Sequence, residues 1–99
     1  MPRYNVYPNP GGVGYLLDVQ AEIHGQLNTR MVVPLLPLTI APKPAHTLNP
    51  LFELDGEVHS MVTQYMAAMP VKALKGKIFS IEEHRAEIVA ALDFLLQGF

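Results

Sequence analysis

The chain contains no cysteine and no tryptophan. Without cysteine it can build no disulfide framework, no thiol nucleophile and no thiolate metal site; a reducing cytoplasm fits, as other compartments would. Charge is scarce: 16% of residues are charged, the formal net charge is −2 and the sequence pI is near 6.0. Such a surface offers a polyanion no basic field, which disfavours nucleic acid as the main partner. Apolar runs are short. The segment from Arg30 to Ile40 is interrupted by proline and falls well below the roughly 20 residues that a membrane helix needs. The start, Met1-Pro2-Arg3-Tyr4-Asn5, does not read as a signal peptide. These absences predict a cytoplasmic protein with no membrane contact.

Catalytic patterns are equally thin. Ser60 and Ser80 are the only serines, and neither lies in a Gly-x-Ser-x-Gly elbow. His24, His46, His59 and His84 never recur at the i, i+3 or i, i+4 spacing of a helical metal site. Gly11, Gly12 and Gly14 are not followed by the helix that a phosphate-binding loop requires. Glu82, Glu83 and Glu87 are better explained as solvated acids at a helix start than as a catalytic pair. Met61, Met66 and Met69 fit core filling better than an adaptable binding surface. No metal or cofactor is expected.

What the sequence does contain is a run of short strands followed by one helix, in 99 residues that suit one domain spanning residues 1–99. Arg3 to Tyr7 reads as a strand with Tyr4 and Val6 on one face. Pro8 to Gly14, with two prolines and three glycines, must be a loop. Tyr15 to Ala21 resumes as a strand in which Tyr15, Leu17, Val19 and Ala21 oppose Leu16, Asp18 and Gln20. A polar turn, Glu22 to Asn28, follows. Arg30 to Leu36 is almost wholly apolar and is expected as a central strand buried on both faces, with Pro34 marking a bulge or an edge. Pro37 to Pro50 is the longest irregular stretch. Asp55-Gly56 is a two-residue hairpin turn that sets His59 opposite Phe52. Thr63 to Ala73 looks strand-like but is broken by Pro70, and Lys75-Gly76-Lys77 forms a basic turn.

The helix is expected from Ser80, where Ser80-Ile81-Glu82-Glu83 fits a capping box joining Ser80 to Glu83. Ile81, Ile88, Leu92, Leu95 and Phe99 recur at helical spacing as an apolar stripe. Gly98 stands where a helix normally ends. The tip Gln97-Gly98-Phe99 then either folds back to cap the core or contacts a partner. The expected architecture is α+β: a compact antiparallel sheet or partly closed barrel of about five to seven short strands, with a C-terminal helix.

Asp18-Val19-Gln20, Thr29-Arg30-Met31-Val32-Val33-Pro34-Leu35, Met66-Ala67-Ala68-Met69-Pro70-Val71 and a C-terminal helix ending in Gly98-Phe99 together resemble the CcdB toxins of plasmid and chromosomal toxin–antitoxin pairs. The likeness runs nearly end to end, and the first two segments together are fairly specific. It implies a small SH3-like barrel of the CcdB and MazF type, assembled as a homodimer, that is a binder and not an enzyme. Its target would be the A subunit of DNA gyrase, where such toxins lodge at the dimer gate and trap the enzyme on cleaved DNA. The gyrase surface would comprise Ile23, His24, Asp93, Leu96, Gln97, Gly98 and Phe99. A CcdA-like antitoxin would neutralise the toxin and carry it to operator DNA as a co-repressor, within a plasmid-maintenance module. Its contacts are expected at Pro8, Asn9, Pro10, Gly11 and Gly12, and at Lys43, Pro44, Ala45 and His46.

Two residues depart from the family pattern. Members carry a tryptophan just before the final glycine, where this chain has Gln97; loss of such an anchor typically forfeits roughly 1 to 3 kcal/mol at a hot spot. Asp93 replaces an amide and is expected to pair with a target arginine in compensation. The alternatives are a degenerate member that binds antitoxin without killing, and a MazF-like RNA endonuclease using Arg30 and the threonines.

Overall fold

The computed structural model describes residues 2–22 and 27–98. Its strands are β1 (Asn5–Pro8), β2 (Tyr15–Asp18), β3 (Thr29–Pro37), β4 (Leu51–Leu54), β5 (Glu57–Met61), β6 (Ala67–Pro70) and β7 (Phe79–Ser80), followed by the helix α1 (Arg85–Gln97). All pairings are antiparallel, in the order β4-β5-β3-β2-β1-β7, with β6 beside β3. The result is the α+β architecture expected, a curled half-barrel sheet with a C-terminal helix.

β3 is the organiser because it is long and apolar. One edge pairs with β2; the other pairs with β6 through Thr29–Val32 and then with β5 through Leu35–Pro37. Pro34 lies at that change of partner, where a residue without an N–H does least harm to a ladder. Its carbonyl still accepts from the Val62 amide at 3.0 Å. Alternation sends Leu17, Val19, Val33 and Leu35 inward, to pack with Val6, Phe52, Met61, Ile88, Ala91 and Leu92. Leu16 and Val32 point the other way, into a second cluster with Tyr7 and Leu74. Both faces of β3 are thus covered, in part, as its composition predicts. The β4–β5 turn is also as expected: Asp55 and Gly56 both adopt positive φ (54° and 80°), as a type I′ turn requires, and Phe52 sits opposite His59.

The observed boundaries correct the sequence expectation in four places. Tyr4 is not part of β1; it takes a left-handed conformation (φ 74°), its amide donating to Asp18 and its carbonyl accepting from Ile81. Ala21 does not continue the inward row, because β2 ends at Asp18 and Ala21 is exposed. Within Thr63–Ala73 only Ala67–Pro70 is a strand, flanked by 3-10 turns at Thr63–Tyr65 and Val71–Ala73. The capping box does not form. Ser80 is drawn into β7 opposite Asn5, and its hydroxyl accepts from Glu82 at 3.2 Å, not from Glu83. A 3-10 turn at Glu82–His84 intervenes, so α1 starts at Arg85. Sheet pairing of Ile78 with Val6 and of Ile81 with Tyr4 outcompetes the local cap.

Gly14 joins the Pro8–Gly14 loop to β2 at φ 92°, and a methyl group there would lie 2.4 Å from the Leu35 carbonyl oxygen. Gly14→Ala is therefore expected to destabilise the fold by roughly 2 kcal/mol through backbone strain and overpacking, read as a lower denaturation midpoint in urea.

Candidate functional site

α1 is amphipathic because residues three and four apart share a face. Ile88, Ala91 and Leu92 are buried against the sheet, and Leu95 is half-buried. At the N-terminal end the His84 ring lies 4.9 Å from that of Phe52, and Nδ1 of His84 is 3.3 Å from the Glu87 carboxylate. At the other end Gly98 adopts the left-handed conformation (φ 84°) and donates to the Phe94 carbonyl at 2.9 Å, closing the last turn. This is the stop that the sequence predicts. Asp93, Gln97 and Gly98 are exposed, and Leu96 is 69% exposed, an unusually open position for a leucine. The last turn thus presents one acid, one amide and two exposed apolar side chains, Phe94 and Leu96, beyond the residues fully buried in the core. Ile23, His24 and Phe99 lie outside the described residues.

A second feature runs along the opposite flank of the helix. A groove of about 550 Å³ is lined by Pro44, Ala45, His46, Thr47, Asn49 and Pro50 on one side and by Glu87 and Ala90 on the other. The loop forming its wall is braced from beneath. Asn49 is buried; its Oδ1 accepts from the Ala45 amide at 3.0 Å, and its Nδ2 donates to the Met61 carbonyl at 2.9 Å and to Gln64 Oε1 at 2.8 Å. The Thr63 hydroxyl donates to the Leu48 carbonyl. Irregular backbone therefore becomes a fixed surface. Asn49→Ala strands the Ala45 amide and loosens that wall; the expected loss is about 1 to 3 kcal/mol in chemical denaturation, with faster amide exchange across residues 44–49.

Of the residues expected to meet an antitoxin, Pro44, Ala45 and His46 line this groove, and Lys43 is exposed beside them. Pro8, Asn9, Pro10, Gly11 and Gly12 do not line it. Their loop is self-contained: Asn9 Oδ1 accepts from Gly11, Asn9 Nδ2 donates to Val13, and the Asn9 amide donates to Gly14. Glu87, Ala90 and Asn49 are additions that sequence reading missed. Glu87 and Ala90 lie on the face of α1 away from the core stripe, and that spacing is legible, but their partner across the groove is about 40 residues distant along the chain and only folding supplies it.

The structure also finds what Arg30 does. Its Nε donates to Asp18 Oδ2 at 2.8 Å and its Nη2 to Asp18 Oδ1 at 3.0 Å and to the Gln20 carbonyl at 2.9 Å, all at a nearly solvent-free site. The hydrogen bond to Asp18 raises the guanidinium pKa above its ordinary value, outweighing desolvation. An arginine committed in this way is not free to bind a phosphodiester, so the RNA-endonuclease alternative loses that one of its residues. Among the described residues no cluster of histidine and carboxylate side chains could hold a metal ion, and no helix is long and apolar enough to cross a membrane.

The sequence model of one family, described as CcdB protein, matches residues 3–98. No curated relative matches the chain at a significant level.

Proposed function

We propose a function from one premise: the chain belongs to the CcdB family, which supports its being the toxin of a toxin–antitoxin system. Its target is the A subunit of DNA gyrase, which it holds on cleaved DNA by inserting the end of α1. It acts by binding and performs no chemistry of its own. The observation that carries this reading is the exposed last turn of α1, where Asp93, Leu96 and Gln97 project beyond the core-anchored part of the helix. Ile23 and His24, which follow Glu22 in the sequence, and Phe99 belong to the same proposed surface. A homodimer presents two such ends to a two-fold target. A CcdA-like antitoxin occupies the groove beside Pro44–His46 and the loop at Pro8–Gly12, neutralises the toxin and links it to operator DNA.

The test is a gyrase cleavage assay with purified toxin. The protein as it stands is expected to accumulate covalently trapped, cleaved DNA. Gln97→Trp is expected to strengthen the effect by roughly 1 to 3 kcal/mol of binding, since an indole at an exposed helix end adds buried area and a guanidinium-stacking face. If neither protein traps cleaved DNA while both remain folded, gyrase poisoning is the wrong function.

A degenerate member that binds antitoxin without killing is favoured by one observation, Gln97 itself, which is exposed and offers no aromatic face. Normal growth on expression without antitoxin, with trapping restored by Gln97→Trp, would select this reading.

A further inference from the structure

The backbone ladder of β2 with β3 runs from Tyr15–Leu35 to Asp18–Val32 and ends with the Val19 amide on the Met31 carbonyl at 3.0 Å. Gln20, Ala21 and Glu22 continue past that point, and Ile23 and His24 follow them in the sequence. Among the described residues, what holds Gln20–Glu22 to the sheet is a set of side-chain contacts centred on Arg30. Its guanidinium forks onto both Asp18 oxygens, and Nη2 is 2.9 Å from the Gln20 carbonyl and 3.8 Å from the Glu22 carboxylate. Asp18 Oδ1 accepts in addition from the Gln20 amide at 3.1 Å, and Gln20 Oε1 accepts from the Met31 amide at 3.0 Å. On the other side, Arg3 donates through Nε to the Val19 carbonyl at 2.9 Å.

We propose that Asp18 and Arg30 are positioning residues for the gyrase surface: without touching the target, the pair fixes where the chain leaves the sheet after Glu22. The inference rests on the gyrase reading and adds to it two residues and a role. A buried ion pair is a poor device for stability alone, since an apolar pair of similar volume is usually as stable or more so. What such a pair supplies here, and an apolar pair cannot, is geometry. The planar guanidinium of Arg30 meets the carboxylate in a fixed two-pronged arrangement and has a further N–H left for the Gln20 carbonyl. An Asp18–Arg30 pair therefore extends the order of the sheet to Gln20, beyond its last rung, and places a positive charge beside Glu22.

The test uses the full chain with Asp18→Leu and Arg30→Met combined, which keeps the site filled while releasing Gln20–Glu22. Three measurements are made on it and on the parent protein: thermal unfolding, amide exchange, and affinity for the purified gyrase A subunit. The expected result is an unfolding midpoint within a few degrees of the parent, faster exchange at the Gln20 amide, which loses its Asp18 acceptor, with unchanged exchange along α1, and gyrase affinity lowered on the order of tenfold. That factor corresponds to re-ordering about two freed side chains on binding. Unchanged exchange at the Gln20 amide would overturn the clamp, whatever gyrase does. So would faster exchange there combined with parental gyrase affinity. A parent protein that ignores gyrase would instead sink the underlying reading, and the exchange measurement still decides the clamp. Should the double variant fail to fold, Gln20→Ala removes only the Met31 anchor and is expected to show the same pattern with a smaller loss of affinity.

Discussion

Deleting Gly98 and Phe99 is expected to abolish gyrase trapping and toxicity while leaving the fold in place. The two consequences separate because the core and the tip use different parts of α1. Ile88, Ala91 and Leu92 anchor the helix, all of them at least five residues before Gln97. The deletion removes the left-handed Gly98 and its hydrogen bond to the Phe94 carbonyl. Fraying of the last turn follows, at about 1 kcal/mol or less, since helix ends rest on few tertiary contacts. At the target the loss is larger. Hot-spot residues cluster at the centre of an interface, and truncating an aromatic anchor there typically costs about 2 kcal/mol or more, beyond the disorder passed on to Leu96 and Gln97. Circular dichroism should therefore report an almost unchanged protein, and the cleavage assay no trapped DNA. Trapping by the shortened chain at the level of the parent would show that the helix end is not the poisoning element.

Asp18→Ala should be the most destabilising single change among the buried polar residues. It leaves the Arg30 guanidinium, of which only 9% of the side chain is exposed, without its two-pronged partner. Stranding one member of a buried ion pair costs about 3 to 5 kcal/mol, a large share of the roughly 5 to 15 kcal/mol that holds a small domain together. The contrast with the double replacement Asp18→Leu, Arg30→Met is the informative part. Removing both charges leaves no orphan, and stability should return close to that of the parent. Urea denaturation of the two variants measures this directly. Equal destabilisation would mean that packing around Asp18 and Arg30, and not the unpaired charge, sets the cost.

The helix illustrates how local and tertiary signals can disagree. Its C-terminal end was legible, because a glycine that must adopt positive φ is a local requirement visible in one residue. Its start was not. Ser80, Glu82 and Glu83 make a sound local cap, yet Ile78 and Ile81 lie where the neighbouring strand β1 and the residue before it can pair with their backbone, and sheet pairing prevails. The candidate site divides in the same manner. Gln97 and Gly98 follow from helix phase and termination. The groove needs Pro44–Asn49 and Glu87–Ala90 side by side, and no periodicity relates two segments so far apart.

Arg30 is the clearest case of a residue whose chemistry was visible and whose role was not. As a sequence feature it is a lone base before an apolar run and invites a reading in phosphodiester chemistry. The register that pairs Asp18 with Val32 puts Arg30 two residues further along the facing strand, within reach of the carboxylate, and commits it to structure.

The sequence alone determined the fold class, the central place of the Arg30–Leu36 run, the Asp55-Gly56 turn and the family resemblance, because alternation, turn chemistry and short motifs are properties of neighbours along the chain. The tertiary structure decided the start of α1, the partner of Arg30, the bracing by Asn49 and the groove beside the helix. Each of these depends on which distant segments meet, and that is set by burial of the whole apolar surface at once and not by any local preference.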